Sequence, residues 1–196
     1  MPEAVIVSAA RSPIGRANKG SLTHLRPDDL AATIVREALS RVPELDPTEV
    51  EDLMLGCAQP AGEAGYNLAR AVAVLAGLDT VPGTTVNRYC ASSLQTTRMA
   101  LHAIRAGEGS VFISAGVETV SRYAQGKADG LRGTHNAVFE HAERRTESVS
   151  ESSKSWGDPR DLGELPNLYL AMGHTAENVA DLCGVSRAEQ DEVRRA

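Results

Sequence analysis

The sequence predicts an α/β protein with a largely parallel central sheet flanked by helices. Two observations carry that prediction. Over residues 1–120, short apolar runs alternate with amphipathic helical segments three times and close on a fourth apolar run, which is the pattern of strand–helix–strand units. Each run is bounded by glycine, proline or small polar residues that stop it. Composition agrees: the 196 residues are 42% apolar and 23% charged, an ordinary balance in a chain long enough to bury its own core.

Taken in order, residues 4–10 (Ala-Val-Ile-Val-Ser-Ala-Ala) form a short apolar run that Pro13 and Gly15 end, and they predict a buried strand. Asp28 and Asp29 open a helix to about Arg41, with Leu30, Ile34, Val35, Ala38 and Leu39 on one face. Residues 50–57, centred on Leu53, Met54 and Leu55, predict a second strand. Asn67 is placed to cap a helix over 68–76 that Gly77 stops. The β-prone residues 84–89 end at Cys90, and residues 91–105 return to helical spacing until Gly107. Residues 111–115 are the fourth strand. In such a sheet, chemistry gathers where the strands end at their C-termini.

The character changes after residue 120. The 45 residues 121–165 hold 15 charged side chains and six serines, with no sustained period beyond a helical turn near His141. So long a connection inside a domain is a functional excursion or disordered. Order resumes from Leu168: a helix is predicted over 175–183, and Ser186 with Glu189 has capping-box spacing. The sequence therefore divides into residues 1–120 and residues 121–196.

Several function classes are disfavoured. A formal net charge of −6 argues against a nucleic-acid partner. No apolar run approaches the roughly 20 residues that span a bilayer, and the first residues lack the pattern of a secretory leader. Cysteines at 57, 90 and 183 are sparse and odd in number, which predicts free thiols and a cytoplasmic location. The five histidines show no metal-ligand spacing, so no metal is expected.

Cys90 is the most informative residue. It sits where a predicted strand gives way to a helix, facing unpaired backbone N–H groups and the positive end of a helix dipole. Both favour thiolate, the nucleophilic form, and the same donors can hold an oxyanion on an acyl group attached to sulfur. The competing reading is a small buried hydrophobe; Cys57 and Cys183 are read that way, as packing residues. Glu118 reads either as an acid–base group or as an internal hydrogen-bonding carboxylate at a turn.

Residues 86–95 (Val-Asn-Arg-Tyr-Cys-Ala-Ser-Ser-Leu-Gln) resemble the nucleophile segment of the thiolases. Four further blocks resemble that family in its order: residues 7–15, residues 56–70, residues 116–121 (Gly-Val-Glu-Thr-Val-Ser) and residues 172–180 (Met-Gly-His-Thr-Ala-Glu-Asn-Val-Ala). The resemblance implies a thiolase-like N-terminal α/β half-domain over residues 1–120, followed over residues 121–196 by the beginning of a substrate-covering loop domain. It implies that Cys90 attacks the thioester of an acyl-CoA, or the keto carbon of a 3-ketoacyl-CoA. An acyl-enzyme then passes its acyl group to CoA or to acetyl-CoA, as in fatty acid metabolism. It implies that Met172 lines the pantetheine tunnel, that acyl-CoA and CoA are the partners without a further cofactor, and that the protein is a homo-oligomer, dimer or tetramer.

Departures accompany the likeness. Ser93 stands where the family has Gly, Ala115 where Gly is common, Val120 where Met is usual, and Ala171 where some members have His. The family's Gly-His-Pro, Cys-x-Gly and Asn-Glu-Ala-Phe motifs, which carry its base, its second cysteine and a water-holding asparagine, do not occur in the 196 residues. The sequence thus reads as the N-terminal part of an acyltransferase, inactive by itself. Two alternatives stay open: a non-catalytic fragment or subunit completed by a separate C-terminal chain, or a lipid-transfer relative. A cysteine hydrolase using His174 as base is a third.

Overall fold

The computed structural model describes residues 2–125, 131–152 and 157–193. They fall into two units, Met1–Gly130 and Leu131–Ala196, each described by itself.

The first unit is built on a three-stranded parallel sheet: β1 (Asp52–Gly56) lies between β2 (Gly83–Val86) and β3 (Phe112–Gly116). Helix α1 (Pro27–Ser40) precedes the sheet, α2 (Leu68–Leu75) joins β1 to β2, and α3 (Ser92–Ala106) joins β2 to β3. Pro27 at the first helical turn, with Asp28 and Asp29 beside it, starts α1 as the sequence predicts. Gly77 and Gly107 end α2 and α3 with positive φ.

Strand alternation sorts the two faces of the sheet. Leu53, Leu55 and Cys57 point to the face covered by α1 and α2, where Ala32, Val35, Leu68, Ala69 and Val72 complete a closed apolar core. Ile113, Ala115 and Val117 join that cluster from β3. Each fully buried Leu or Val here stabilises by roughly 1.5–3 kcal/mol. The opposite face is different in kind. Gly56, Ser114 and Gly116 turn toward α3, which meets them with Ser92, Ser93, Thr96 and Thr97. The Thr96 and Thr97 hydroxyls each lie 2.9 Å from Ser114 Oγ.

Three expectations need correction. Residues 4–10 belong to no strand or helix among the described residues, and Val5, Ile6 and Val7 are 69%, 81% and 73% exposed. Only side contacts hold them: Ser8 donates to the Ala38 carbonyl at 2.8 Å, and Arg41 donates to the Ala9 carbonyl at 2.6 Å. An apolar run becomes a buried strand only where a ladder partner and a covering layer exist, and here it rests beside α1 instead.

Asn67 does not cap α2 with its side chain. It has φ +56 and reaches across to β2, donating to the Gly83 carbonyl and accepting from the Thr85 hydroxyl. Thr85 supplies the cap from the neighbouring strand, accepting the Ala69 N–H at 3.0 Å. The third correction lies in the second unit. Residues read as holding no more than a helical turn near His141 form α4 (Glu140–Ser152).

Among the described residues, helix α4 buries Ala142; it is mostly polar, held by Arg145 to Glu164 and by Thr146 to Asn167. His135 stacks on Tyr169 with centroids 3.9 Å apart. Helix α5 (Met172–Cys183) starts three residues earlier than predicted, and Ser186 and Glu189 form the expected capping box at the head of α6 (Arg187–Val193). Parts of the charged stretch, residues 126–130 and 153–156, lie outside the described residues.

Candidate active site

The parallel sheet delivers three strand ends to one place. β1 runs out into Cys57 and Ala58, β2 into residues 87–90, and β3 into Val117 and Glu118. The ladder continues past the strands: Cys57 N–H donates to the Val86 carbonyl and Val117 N–H to the Gly56 carbonyl, both at 3.0 Å. The side chains that follow each strand are therefore neighbours.

Cys90 is exposed in a short 3-10 turn (Tyr89–Ala91) that leads directly into the 15-residue helix α3. Ala91 and Ser92 donate the two hydrogen bonds of that turn, to Arg88 and Tyr89, so the Cys90 N–H stands outside its ladder. No side chain caps α3, and its first-turn amides face forward with the dipole. The turn is bent hard: Tyr89 takes φ +46, a region a tyrosine rarely enters. It is possible because α3 packs closely on β1. A β-carbon at Gly56 would stand 2.6 Å from backbone atoms of Ser92 and Ser93, so a glycine at the end of β1 makes the seat for the helix start.

The same geometry accounts for Ser93. Its β-carbon lies 2.7 Å from where one at Gly116 would stand. The absence of a side chain at 116 gives Ser93 its space, and its substitution for Gly is accommodated without distorting α3.

Cys57 is the opposite of Cys90. It is 2% exposed, and burial, followed by the nearby Glu118 charge, pushes its thiol up to about 11. It is the packing residue that the sequence predicts; Cys183, predicted to be one as well, is instead exposed at the end of the helix Met172–Cys183. Glu118 is an internal hydrogen-bonding carboxylate: Oε2 accepts the Ala58 N–H at 2.8 Å, and Oε1 lies 3.9 Å from the Cys57 sulfur. Burial, then the nearby Glu118 charge, pushes the Tyr123 phenol up to about 12. Sequence reasoning missed Tyr123, since five residues beyond Glu118 it belongs to no motif.

An ion-pair network fences the same strand ends. Arg122 grips Glu63 with two bonds of 2.6 and 2.8 Å, and Arg26 adds a contact at 3.4 Å while also holding Asp28. Hydrogen bonding by Arg122 holds the Glu63 carboxyl below its ordinary value. Cys57, Glu63, Glu118, Arg122 and Tyr123 together line a small cleft beside these strand ends.

Met172, the other predicted site residue, belongs to the second unit, where it is the first residue of α5 and 75% exposed. Thr175 donates to its carbonyl at 2.7 Å. Among the described residues, no group of three His, Cys, Asp or Glu is arranged to hold a metal ion, and no helix is long and apolar enough to cross a membrane.

Residues 4–194 match the model of the thiolase N-terminal domain. The chain is 41% identical over 192 residues to a 3-ketoacyl-CoA thiolase of Bacillus subtilis, covering 97% of this chain and 42% of the relative. It is 41% identical over 192 residues to a β-ketoadipyl-CoA thiolase of Pseudomonas knackmussii, covering 96% and 45%. A 3-oxoadipyl-CoA/3-oxo-5,6-dehydrosuberyl-CoA thiolase of Escherichia coli is 41% identical over 194 residues, covering 97% and 45%. The chain thus spans less than half the length of these curated relatives. An exposed cysteine at a strand-to-helix turn, on a parallel sheet whose whole length matches one domain model, leads to one conclusion: the chain belongs to the thiolase family and corresponds to its N-terminal domain.

Proposed function

We propose that this chain supplies the nucleophilic half of a thiolase-type acyl-CoA C-acyltransferase. The single observation that carries the reading is Cys90, exposed at the head of α3 where the parallel strands end. Its thiolate attacks the thioester carbonyl of an acyl-CoA and expels CoA thiolate, or attacks the keto carbon of a 3-ketoacyl-CoA and expels the acetyl-CoA carbanion, which is then protonated. Either route leaves an acyl thioester on Sγ and gives ping-pong kinetics. The Cys90 N–H, outside the turn's ladder, donates to the oxyanion of the attacked carbonyl. The acyl group leaves to CoA or to the acetyl-CoA carbanion. Met172, exposed at the head of α5, contacts the pantetheine arm. The substrates are CoA thioesters.

The names of the relatives support this reading, as does the fit of Ser93 against Gly116, which gives Ser93 room beside the nucleophile turn. The proton-moving motifs absent from the 196 residues belong, on this reading, to further polypeptide, and assembly is homo-oligomeric. The test is a thiolysis assay with acetoacetyl-CoA and CoA on the 196-residue chain, beside Cys90→Ser. The chain alone is expected to give no turnover above background. Normal turnover that survives Cys90→Ser would overturn the assignment.

A further inference from the structure

The bend that presents Cys90 is held by two side chains to which the proposed chemistry assigns no part. Ser92 is 4% exposed and, with Thr96, one of two buried polar residues among the described residues. Its hydroxyl accepts the Arg88 N–H at 2.8 Å and donates to the Tyr89 carbonyl at 2.6 Å. A serine hydroxyl has one proton to give and lone pairs to receive, and here both capacities close on backbone groups just before the nucleophile. From the other side, Asn87 Oδ1 accepts the Tyr89 N–H at 2.8 Å. Residues 87 and 92 therefore grip the peptide units on either side of Tyr89, the residue at φ +46. Arg88 and Ala91 also depart from regular helix and strand conformations. Such backbone persists only where its surroundings over-determine it, and Ser92 is itself fixed because its backbone packs on Gly56.

We infer that Ser92 and Asn87 are positioning residues for the Cys90 nucleophile. They touch neither the sulfur nor, on the proposed reaction, the substrate. They hold the strained turn that sets Cys90 at the head of α3, in the field of its first-turn amides. Without them Tyr89 relaxes to negative φ and Cys90 moves away from that field. This inference rests on the reading of Cys90 as the nucleophile.

The experiment follows iodoacetamide alkylation of the 196-residue chain by peptide mass spectrometry at neutral pH. Exposed Cys183 is the internal standard and buried Cys57 reports on unfolding. In the unaltered chain, Cys90 is expected to react faster than Cys183. Ser92→Ala is expected to lower the Cys90-to-Cys183 rate ratio about tenfold, with Cys183 unchanged and Cys57 still protected. Ser92→Thr, which keeps the hydroxyl, restores most of the ratio. A merely structural role would leave the ratio in place while Cys57 stays protected. If Cys57 becomes reactive in Ser92→Ala, the turn is tested by Asn87→Ala, which is expected to show the same lowered ratio. A fast Cys90 in the unaltered chain, with the ratio retained in the folded variant, would overturn the inference alone. A Cys90 no faster than Cys183 in the unaltered chain would overturn the nucleophile reading beneath it.

Discussion

The two faces of the sheet do different work. Toward α1 and α2, Leu53, Leu55 and Cys57 close against Leu68, Ala69 and Val72 in a core with little room for change. Toward α3, the same strands present Gly56, Ser114 and Gly116 to serines and threonines. Alternation along one strand produces both surfaces. The apolar face supplies stability, while the small and hydroxylated face lets a helix start approach the backbone closely enough to carry a strained nucleophile turn. The difference teaches that the site is built less by what is added near Cys90 than by side chains omitted at 56 and 116.

The largest expected effect tests the apolar face. Leu55→Ala removes a side chain that is 0% exposed, and should cost about 2–5 kcal/mol in urea unfolding. A loss below about 1 kcal/mol would mean that this face is not the stabilising one. Next come the glycines of the other face. Gly56→Ala places a β-carbon 2.6 Å from the Ser92 and Ser93 backbone. It should cost about 1–3 kcal/mol and slow Cys90 alkylation, a coupling that no substitution in the Leu55 layer should show in folded protein. Gly116→Ala meets Ser93 at 2.7 Å, so Ser93→Gly should recover most of its cost, read as a double-mutant cycle. Additive losses would contradict the account of how Ser93 fits.

Much of this was legible in the sequence, for reasons that also mark its limits. Helices α1, α2 and α3 and strands β1 and β3 lie within about two residues of where apolar spacing, Gly77 and Gly107 put them, because these residues meet real partners, while β2 ends three residues before its predicted end. Residues 4–10 carried the same signal and failed, since spacing records the capacity to be buried and not the presence of a partner strand. Helix α4 was legible only as one turn near His141, for the converse reason: glutamate and arginine favour helix, but Ala142 and Val149 are too few to make an apolar stripe. Cys90 was legible because chain order alone placed it between strand and helix. Its clamp by Ser92, Tyr123 beside Glu118, and the match of Ser93 to Gly116 were not, since each depends on contacts between residues that no local pattern links.

Smaller effects follow from titration. The Cys57 thiol is raised to about 11 from an ordinary 9, so the folded state favours its neutral form. That contribution to stability is complete below about pH 9 and is lost as pH rises toward 11. Thermal melts across that window should show a decline that Cys57→Ala flattens, whatever its own cost. Glu63 behaves in the opposite sense. Its pKa is lowered by Arg122, so its contribution is present above the ordinary value of 4.5 and is lost as pH falls below it; Glu63→Gln should remove that acid slope. The smallest effect is expected at Thr97→Val, which removes an exposed hydroxyl bond to Ser114 and should cost about 1 kcal/mol or less.

The most direct test of the account is a competition among the three cysteines. The folded 196-residue chain is treated at neutral pH with iodoacetamide at limiting extent, and the labelled peptides are quantified. The account predicts label first at Cys90, later at exposed Cys183, and none at buried Cys57. Equal or faster labelling of Cys183 would contradict the claim that this fold presents Cys90 as an activated nucleophile.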